Sequence, residues 1–169
     1  MDLYFLRHGL AGHGSQWEGD DWERPLTDEG RAKLRLEGET LARLELAPEF
    51  LVSSPLLRAL ETAQIVAPYL ANAPKVNVDK RLAPGFDHKQ LAQILEGYAG
   101  AQSLMLVGHE PDFSETVGQL IGGGQVVCKK GGLAWVELPE PRRLKGQLIA
   151  LIPPAMLAGR LSSGSGSAD

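Results

Sequence analysis

The chain has 169 residues, of which 43% are hydrophobic and 22% charged, and its formal net charge at pH 7 is −4. These values predict one soluble domain with its own core, and they exclude disordered, collagen-like and coiled-coil chains. The negative charge argues against a nucleic-acid partner, because such proteins need a basic face, and a single cysteine excludes an intrachain disulfide.

The first part of the chain predicts a strand, a loop and a helix. Residues 3–6 are continuously apolar, as in a central strand buried on both faces, and His8 follows them closely. After a loop, Thr27 marks the start of a helix, and small and apolar residues at helical spacing extend it to about Leu46.

The middle of the chain repeats this order. Residues 50–53 predict a second strand, and Pro55 then falls in the first turn of a second helix, where proline is tolerated. Residues 76–78 predict a weak third strand. A loop and a third helix follow, with apolar residues spaced from Leu91 to Tyr98.

The last part begins with another strand, turn and helix. Residues 103–107 predict the strand, Pro111 opens the helix, and a run of three glycines ends it. We predict closing strands over residues 126–127, 133–138 and 148–152, with a hairpin among them.

Alternating strands and helices predict an α/β three-layer sandwich. Its central sheet is mostly parallel with an antiparallel edge, and helices cover both faces. We expect residues 1–160 to form this single domain and the Ser/Gly-rich residues 161–169 to form a flexible tail. Ligands bind such sheets beyond the carboxyl ends of the strands, so residues just past strand ends are the site candidates.

The chain offers few signs of a membrane, a metal or a cofactor. No apolar run approaches the roughly 20 residues that span a bilayer, and no basic segment precedes one, so we expect a cytoplasmic protein. The cysteine and histidine spacing matches no structural zinc motif. We therefore expect no metal and no cofactor.

Basic side chains from three separate segments meet at the predicted sheet edge. Arg7 and His8 follow the first strand, His109 follows the strand over 103–107, and Arg58 lies in the first turn of the second helix. Guanidinium groups match phosphate oxygens in a bidentate way, and helix N-termini add N–H donors. The cluster predicts a phosphate pocket in which neighbouring cations keep an imidazole neutral and nucleophilic.

These motifs resemble the histidine phosphatase superfamily, also called phosphoglycerate-mutase-like. The resemblance rests on Arg7-His8-Gly9, on the segment SPLLRALET at 54–62 and on Val107-Gly108-His109. Within that superfamily, the short length, Arg24-Pro25-Leu26-Thr27 and His109-Glu110-Pro111 are more similar to the SixA-like phosphohistidine phosphatases.

The resemblance implies a two-step mechanism. His8 attacks phosphorus and forms a phosphohistidine, which water then hydrolyses, while Arg7, Arg58 and His109 hold the phosphoryl oxygens. It also implies a place for Arg24 near the phosphate. A salt bridge from Arg24 is an equal alternative, with three acids of the same loop as its possible partners: Glu18, Asp20 and Asp21.

The general acid is the main departure from the family pattern. Many members supply a glutamate from the loop after the third strand, whereas here Asp87 is the nearest candidate. A phosphate monoester needs a protonated leaving group, whereas a protonated phosphoramidate releases neutral imidazole. The missing glutamate therefore favours phosphohistidine on a protein, such as a histidine phosphotransfer or carrier protein.

Two alternatives remain at this point. The first is a phosphomonoesterase or mutase that acts on a small phosphorylated metabolite, and the second is an inactive phosphate-binding or scaffold module. No segment is long enough to cap the pocket, so we expect an open site. Trp17 and Trp22 are expected either to line its entrance and contact a partner or to cap the core under the loop.

Overall fold

Six strands form one central sheet in the computed structural model, which describes residues 1–158. The sheet order is β3-β2-β4-β1-β5-β6, in which β1 to β4 pair in parallel and β5 and β6 pair antiparallel. The predicted mostly parallel sheet with an antiparallel edge is confirmed, whereas the predicted tail, 161–169, lies outside the described residues. The strands are β1 (Asp2–Arg7), β2 (Phe50–Ser53), β3 (Val76–Val78), β4 (Ser103–Gly108), β5 (Leu133–Glu140) and β6 (Lys145–Ile152).

Helices cover both faces of this sheet and complete the predicted three layers. In β1, Leu3 and Phe5 belong to one buried cluster, and Tyr4 and Leu6 belong to the other, which is why this strand is apolar throughout. Within residues 1–158, no helix has the length and apolar character needed to span a bilayer. One face carries α1 (Asp28–Arg43), α2 (Leu57–Val66) and the short, unpredicted α5 (Pro154–Leu157), and the other carries α3 (His88–Gly97) and α4 (Asp112–Leu120).

Parallel pairing aligns the ends of three strands. Arg7 at the end of β1 lies opposite Gly108 at the end of β4, and Ser53 at the end of β2 lies opposite Val107. The residues that follow these strands therefore leave the sheet at the same edge: His8, Ser54 and His109.

The strand predicted over residues 126–127 is wrong. Residues 122–132 form an irregular loop, which begins with three glycines at positive φ and leaves Val127 exposed. Near the end of this loop, the Gly131 N–H donates to the carbonyl oxygen of His8, at 3.1 Å. The loop thus lies across the end of β1, and its backbone groups support the predicted site.

The start of the second helix also differs from the prediction. The helix begins at Leu57, two residues after Pro55. The reason is a turn in which the Leu56 N–H donates to the Ser54 hydroxyl oxygen, at 3.3 Å. Arg58 still lies in the first turn of the helix, as predicted.

A buried glutamate lies near the loop that follows β1. Glu37 of α1 is 3% exposed, and its Oε2 has no hydrogen-bond partner. It borders a cavity of about 290 Å³ that Gly9 and Lys130 also line. Burial raises the pKa of Glu37 from 4.5 to about 8, against the opposing charge of Lys33. The folded protein therefore keeps this carboxyl protonated at neutral pH.

We expect Glu37→Gln to remove part of the pH dependence of stability. Because the pKa of Glu37 is higher in the folded state, its contribution to the free energy of unfolding is largest below pH 4.5. That contribution falls as the pH rises and is lost once the pH passes about 8. The shift corresponds to a loss of up to about 5 kcal/mol, at roughly 1.4 kcal/mol per pH unit. Denaturant unfolding at several pH values measures it. The exposed Glu39→Gln on the same helix is the control, and parallel profiles for wild type and Glu37→Gln would contradict the assignment.

Candidate active site

His8 is held at the end of β1 with one ring nitrogen free. Its Nδ1 lies 2.7 Å from the Gly9 carbonyl oxygen, which only accepts, so Nδ1 carries the proton and Nε2 keeps its lone pair. The Gly9 N–H donates to the Thr62 hydroxyl at 3.1 Å, which ties this loop to α2. A Cβ on Gly9 would lie 2.7 Å from Leu34, so glycine lets the loop approach α1 closely.

His109 faces His8 across the sheet edge. The two ring centroids are 5.2 Å apart, and both residues are buried. His109 Nε2 lies 2.7 Å from the Ser54 hydroxyl oxygen, so Ser54 orients this ring. The other ring nitrogen of His109, Nδ1, is buried and has no hydrogen-bond partner. The structure thus brings both predicted histidines together.

Arg7 joins this pair from the end of β1. Its Nη1 donates to the Cys128 carbonyl at 2.9 Å, while its Nε is buried without a partner. The Cys128 N–H in turn donates to the Ser114 hydroxyl oxygen, and that hydroxyl donates to Glu110. The loop of residues 122–132 and the start of α4 therefore hold the Arg7 guanidinium in place.

Arg58 approaches from the first turn of α2 and is 5% exposed. Its Nη1 donates to the Asp21 carbonyl at 2.8 Å, and its Nη2 lies 3.0 Å from the Asp21 carboxylate. Its Nε is buried without a partner. Unpaired buried nitrogens are rare in folded proteins, so finding three in one cluster indicates a place for an anion. They are Arg7 Nε, Arg58 Nε and His109 Nδ1.

The surroundings keep both imidazoles neutral. Burial lowers the pKa of His8 to about 3, His109 and the two arginines act in the same direction, and the Gly9 carbonyl opposes them. Burial also lowers the pKa of His109 to about 3, followed by the charge of Arg58. At neutral pH, His8 therefore presents an unprotonated nitrogen amid positive charge, as a nucleophile for phosphorus requires.

Arg24 forms the salt bridge that the sequence left as an alternative. Its Nε lies 2.8 Å from the Asp21 carboxylate, and its Nη1 donates to the carbonyls of Ala11 and Gly12, at 3.0 and 3.1 Å. Because the same carboxylate pairs with Arg58, this salt bridge also brings Arg24 beside the predicted pocket. Sequence reasoning named Asp21 only as a partner of Arg24. Their three-residue spacing is a local signal, whereas Asp21 and Arg58 are 37 residues apart.

Asp87 lies at the start of α3. Its carboxylate caps α3 by accepting the N–H groups of Lys89 and Gln90, at 2.7 and 3.1 Å. No hydrogen bond or ion pair among residues 1–158 joins Asp87 to His8 or Arg58. Its role as a general acid stays a prediction.

The site is more covered than predicted. Residues 13–24, which we call the entrance loop, place Asp21 against Arg58, and His8 is only 6% exposed. Trp17 and Trp22 of this loop are 38% and 49% exposed, so neither caps the core as one alternative required. Their exposed surfaces leave contact with a partner as the other prediction.

Comparison with known proteins assigns this chain to a family. Residues 3–84 match the model of the histidine phosphatase superfamily (branch 1). An uncharacterised protein from a Picosynechococcus species is 38% identical over 117 residues, which cover 68% of this chain and 70% of that protein.

Solved structures show the same fold. The protein histidine phosphatase SixA, solved with tungstate, is 26% identical with a TM-score of 0.82, over 93% of this chain and 99% of SixA. The alpha-ribazole phosphatase from Shigella flexneri is 16% identical with a TM-score of 0.71, over 91% of this chain and 97% of that one. The second likeness concerns the fold alone.

Proposed function

Because this chain belongs to the histidine phosphatase superfamily and is SixA-like, we propose that it dephosphorylates phosphohistidine on a partner protein, with His8 as the covalent carrier. One observation carries the proposal: a neutral imidazole lies among three buried nitrogens that have no partner. The structurally similar SixA was solved with tungstate, a tetrahedral oxyanion like phosphate, which supports an oxyanion ligand for this fold.

In the first step, the lone pair on His8 Nε2 attacks phosphorus as the bond from phosphorus to the substrate nitrogen breaks. The substrate imidazole leaves as a neutral ring, because its other nitrogen already carries a proton. Arg7 and Arg58 stabilise the charge on the phosphoryl oxygens in the transition state. The Gly9 carbonyl orients His8 by accepting its Nδ1–H throughout.

In the second step, water attacks phosphorus and the bond from phosphorus to His8 Nε2 breaks. Inorganic phosphate leaves with the oxygen and the protons of that water, and His8 returns to its neutral form. The same arginines stabilise this transition state. Neither step requires a change in the protonation of His8, which fits a residue whose pKa is lowered by burial.

The acids near the pocket support this substrate class. Burial alone would raise the pKa of Asp21, but its hydrogen bond from Arg24 and the charge of Arg58 outweigh this and hold its pKa below the ordinary value. Asp21 is therefore a poor proton donor, and Asp87 is engaged in capping α3. Since neither of these two candidate acids is a ready proton donor, the site is better suited to a P–N bond than to a P–O bond.

The test is a comparison of substrates under identical conditions. We expect kcat/KM on a phosphohistidine-bearing carrier protein to exceed that on aryl and sugar phosphates by about 10²-fold or more, the usual contribution of general acid catalysis. A preference for the esters would favour a small-molecule phosphomonoesterase. If inorganic phosphate bound without turnover of any donor, the chain would be a phosphate-binding module.

A further inference from the structure

Asp21 pairs with both terminal nitrogens of Arg58 and leaves only its Nε free, so a phosphoryl group that binds this guanidinium in a bidentate way must displace at least one Asp21 contact. Its backbone carbonyl and its carboxylate take Nη1 and Nη2 of Arg58, and its other carboxylate oxygen pairs with Nε of Arg24. A carboxylate that contacts two guanidinium groups resembles a bound phosphoryl group in charge and in contacts. Asp21 and a phosphoryl group therefore compete for Arg58.

The segment that carries Asp21 is suited to movement. Asp21 begins a single 3-10 turn, Asp21–Glu23, that buries none of its residues, and the Asp21 side chain itself is 53% exposed. Its neighbours in the entrance loop are exposed from His13 to Glu23. The contacts of Asp21 with Arg58 and Arg24 therefore provide much of the stabilisation of this part of the loop. Segments with few buried contacts open at low free-energy cost.

We propose that Asp21 is an internal anion that occupies the phosphate-binding arginines of the resting protein, and that an incoming phosphoryl group displaces it together with the entrance loop. The proposal rests on the function proposed above and names a residue that sets its specificity. Any phosphate that binds must break the contacts of Asp21 with Arg58 and Arg24, and this loss weakens its binding. A protein substrate offsets that loss through new contacts with the exposed Trp17 and Trp22, whereas a small phosphate has no such contacts.

Binding of inorganic phosphate tests the competition without any turnover. We expect Asp21→Ala to lower the Kd for inorganic phosphate by about tenfold or more, because the arginines become free and a negative charge is lost. Glu18→Ala removes the same charge from the same loop but keeps the pairing with Arg58, and it should change the Kd far less. Unchanged or weaker phosphate binding by Asp21→Ala would overturn the proposal.

Hydrogen exchange tests the displacement itself. Saturating inorganic phosphate should speed amide exchange in residues 13–24 of the wild type, although ligands usually slow exchange. In Asp21→Ala the same residues should exchange quickly with or without phosphate. Slower or unchanged exchange in the phosphate-bound wild type would show that Asp21 stays in place and would contradict the proposal.

Turnover separates this proposal from the proposed function. Asp21→Ala should raise kcat/KM on phosphoramidate, a small P–N donor, by a larger factor than on a phosphohistidine protein. A loss of activity on both donors, without tighter phosphate binding, would make Asp21 a catalytic acid and not a competing anion. If no donor is turned over but phosphate binds more tightly to Asp21→Ala, the proposed function fails and the competition stands.

Discussion

Replacing His8 with alanine is expected to abolish phosphatase turnover. The substitution removes the nitrogen that forms the covalent bond, and loss of a nucleophile costs about 10⁴-fold or more in kcat. Incubation of the wild type with a labelled phosphoryl donor should yield an acid-labile phosphate on His8, and the variant should carry no label. Turnover and labelling are measured on the same donor, a phosphohistidine carrier protein.

His88→Ala provides the matched control for this experiment. His88 is half-buried at the start of α3, and no role in the site is assigned to it. It should keep both turnover and the phosphorylated intermediate. Full activity of His8→Ala would refute the covalent mechanism, and the pocket would then act by another route or only bind phosphate.

Replacing Arg58 with alanine is expected to have the second largest effect. Its buried guanidinium is the only predicted phosphate ligand on α2, and removal of one such donor costs about 10² to 10³-fold in rate. Arg58→Lys keeps the charge but loses the planar fork, so it should recover only part of the loss. Steady-state kinetics on the carrier protein and phosphate binding measure both variants.

Folding must be separated from chemistry here, because Arg58 is buried. Thermal unfolding identifies any variant that is merely destabilised. Arg43→Ala, an exposed arginine of α1, is the control and should leave kcat/KM unchanged. If Arg58→Ala folds normally and retains wild-type turnover, then the proposed phosphate pocket is wrong.

The main elements of the fold could be predicted because local pattern and burial agree. The run at residues 3–6 is apolar on both faces since β1 lies between two helical layers, and Thr27 caps α1 with its side chain as expected. The loop over 122–132 could not be predicted in this way. Val126 and Val127 have strand propensity, but the preceding glycines and the contacts to β1 override it.

The site was predictable to the extent that it follows strand ends. His8 and His109 come together through the parallel sheet, a rule that sequence can apply. The contact between Asp21 and Arg58 could not be predicted. It joins residues that are far apart in the chain, and a single 3-10 turn leaves no periodic pattern in the sequence. The burial of Glu37 does have a signal in the sequence. Glu37 lies three residues after Leu34 on α1, a spacing that turns it toward the core.

The register between β1 and β4 has a consequence for how such a chain can vary. Arg7 pairs with Gly108 across roughly a hundred residues of intervening sequence, and His8 and His109 meet only because that alignment holds. Segments connecting the strands can therefore lengthen or shorten over evolutionary time while the two rings stay opposed. An insertion of one residue inside either strand would turn the following side chain to the opposite face and separate the rings.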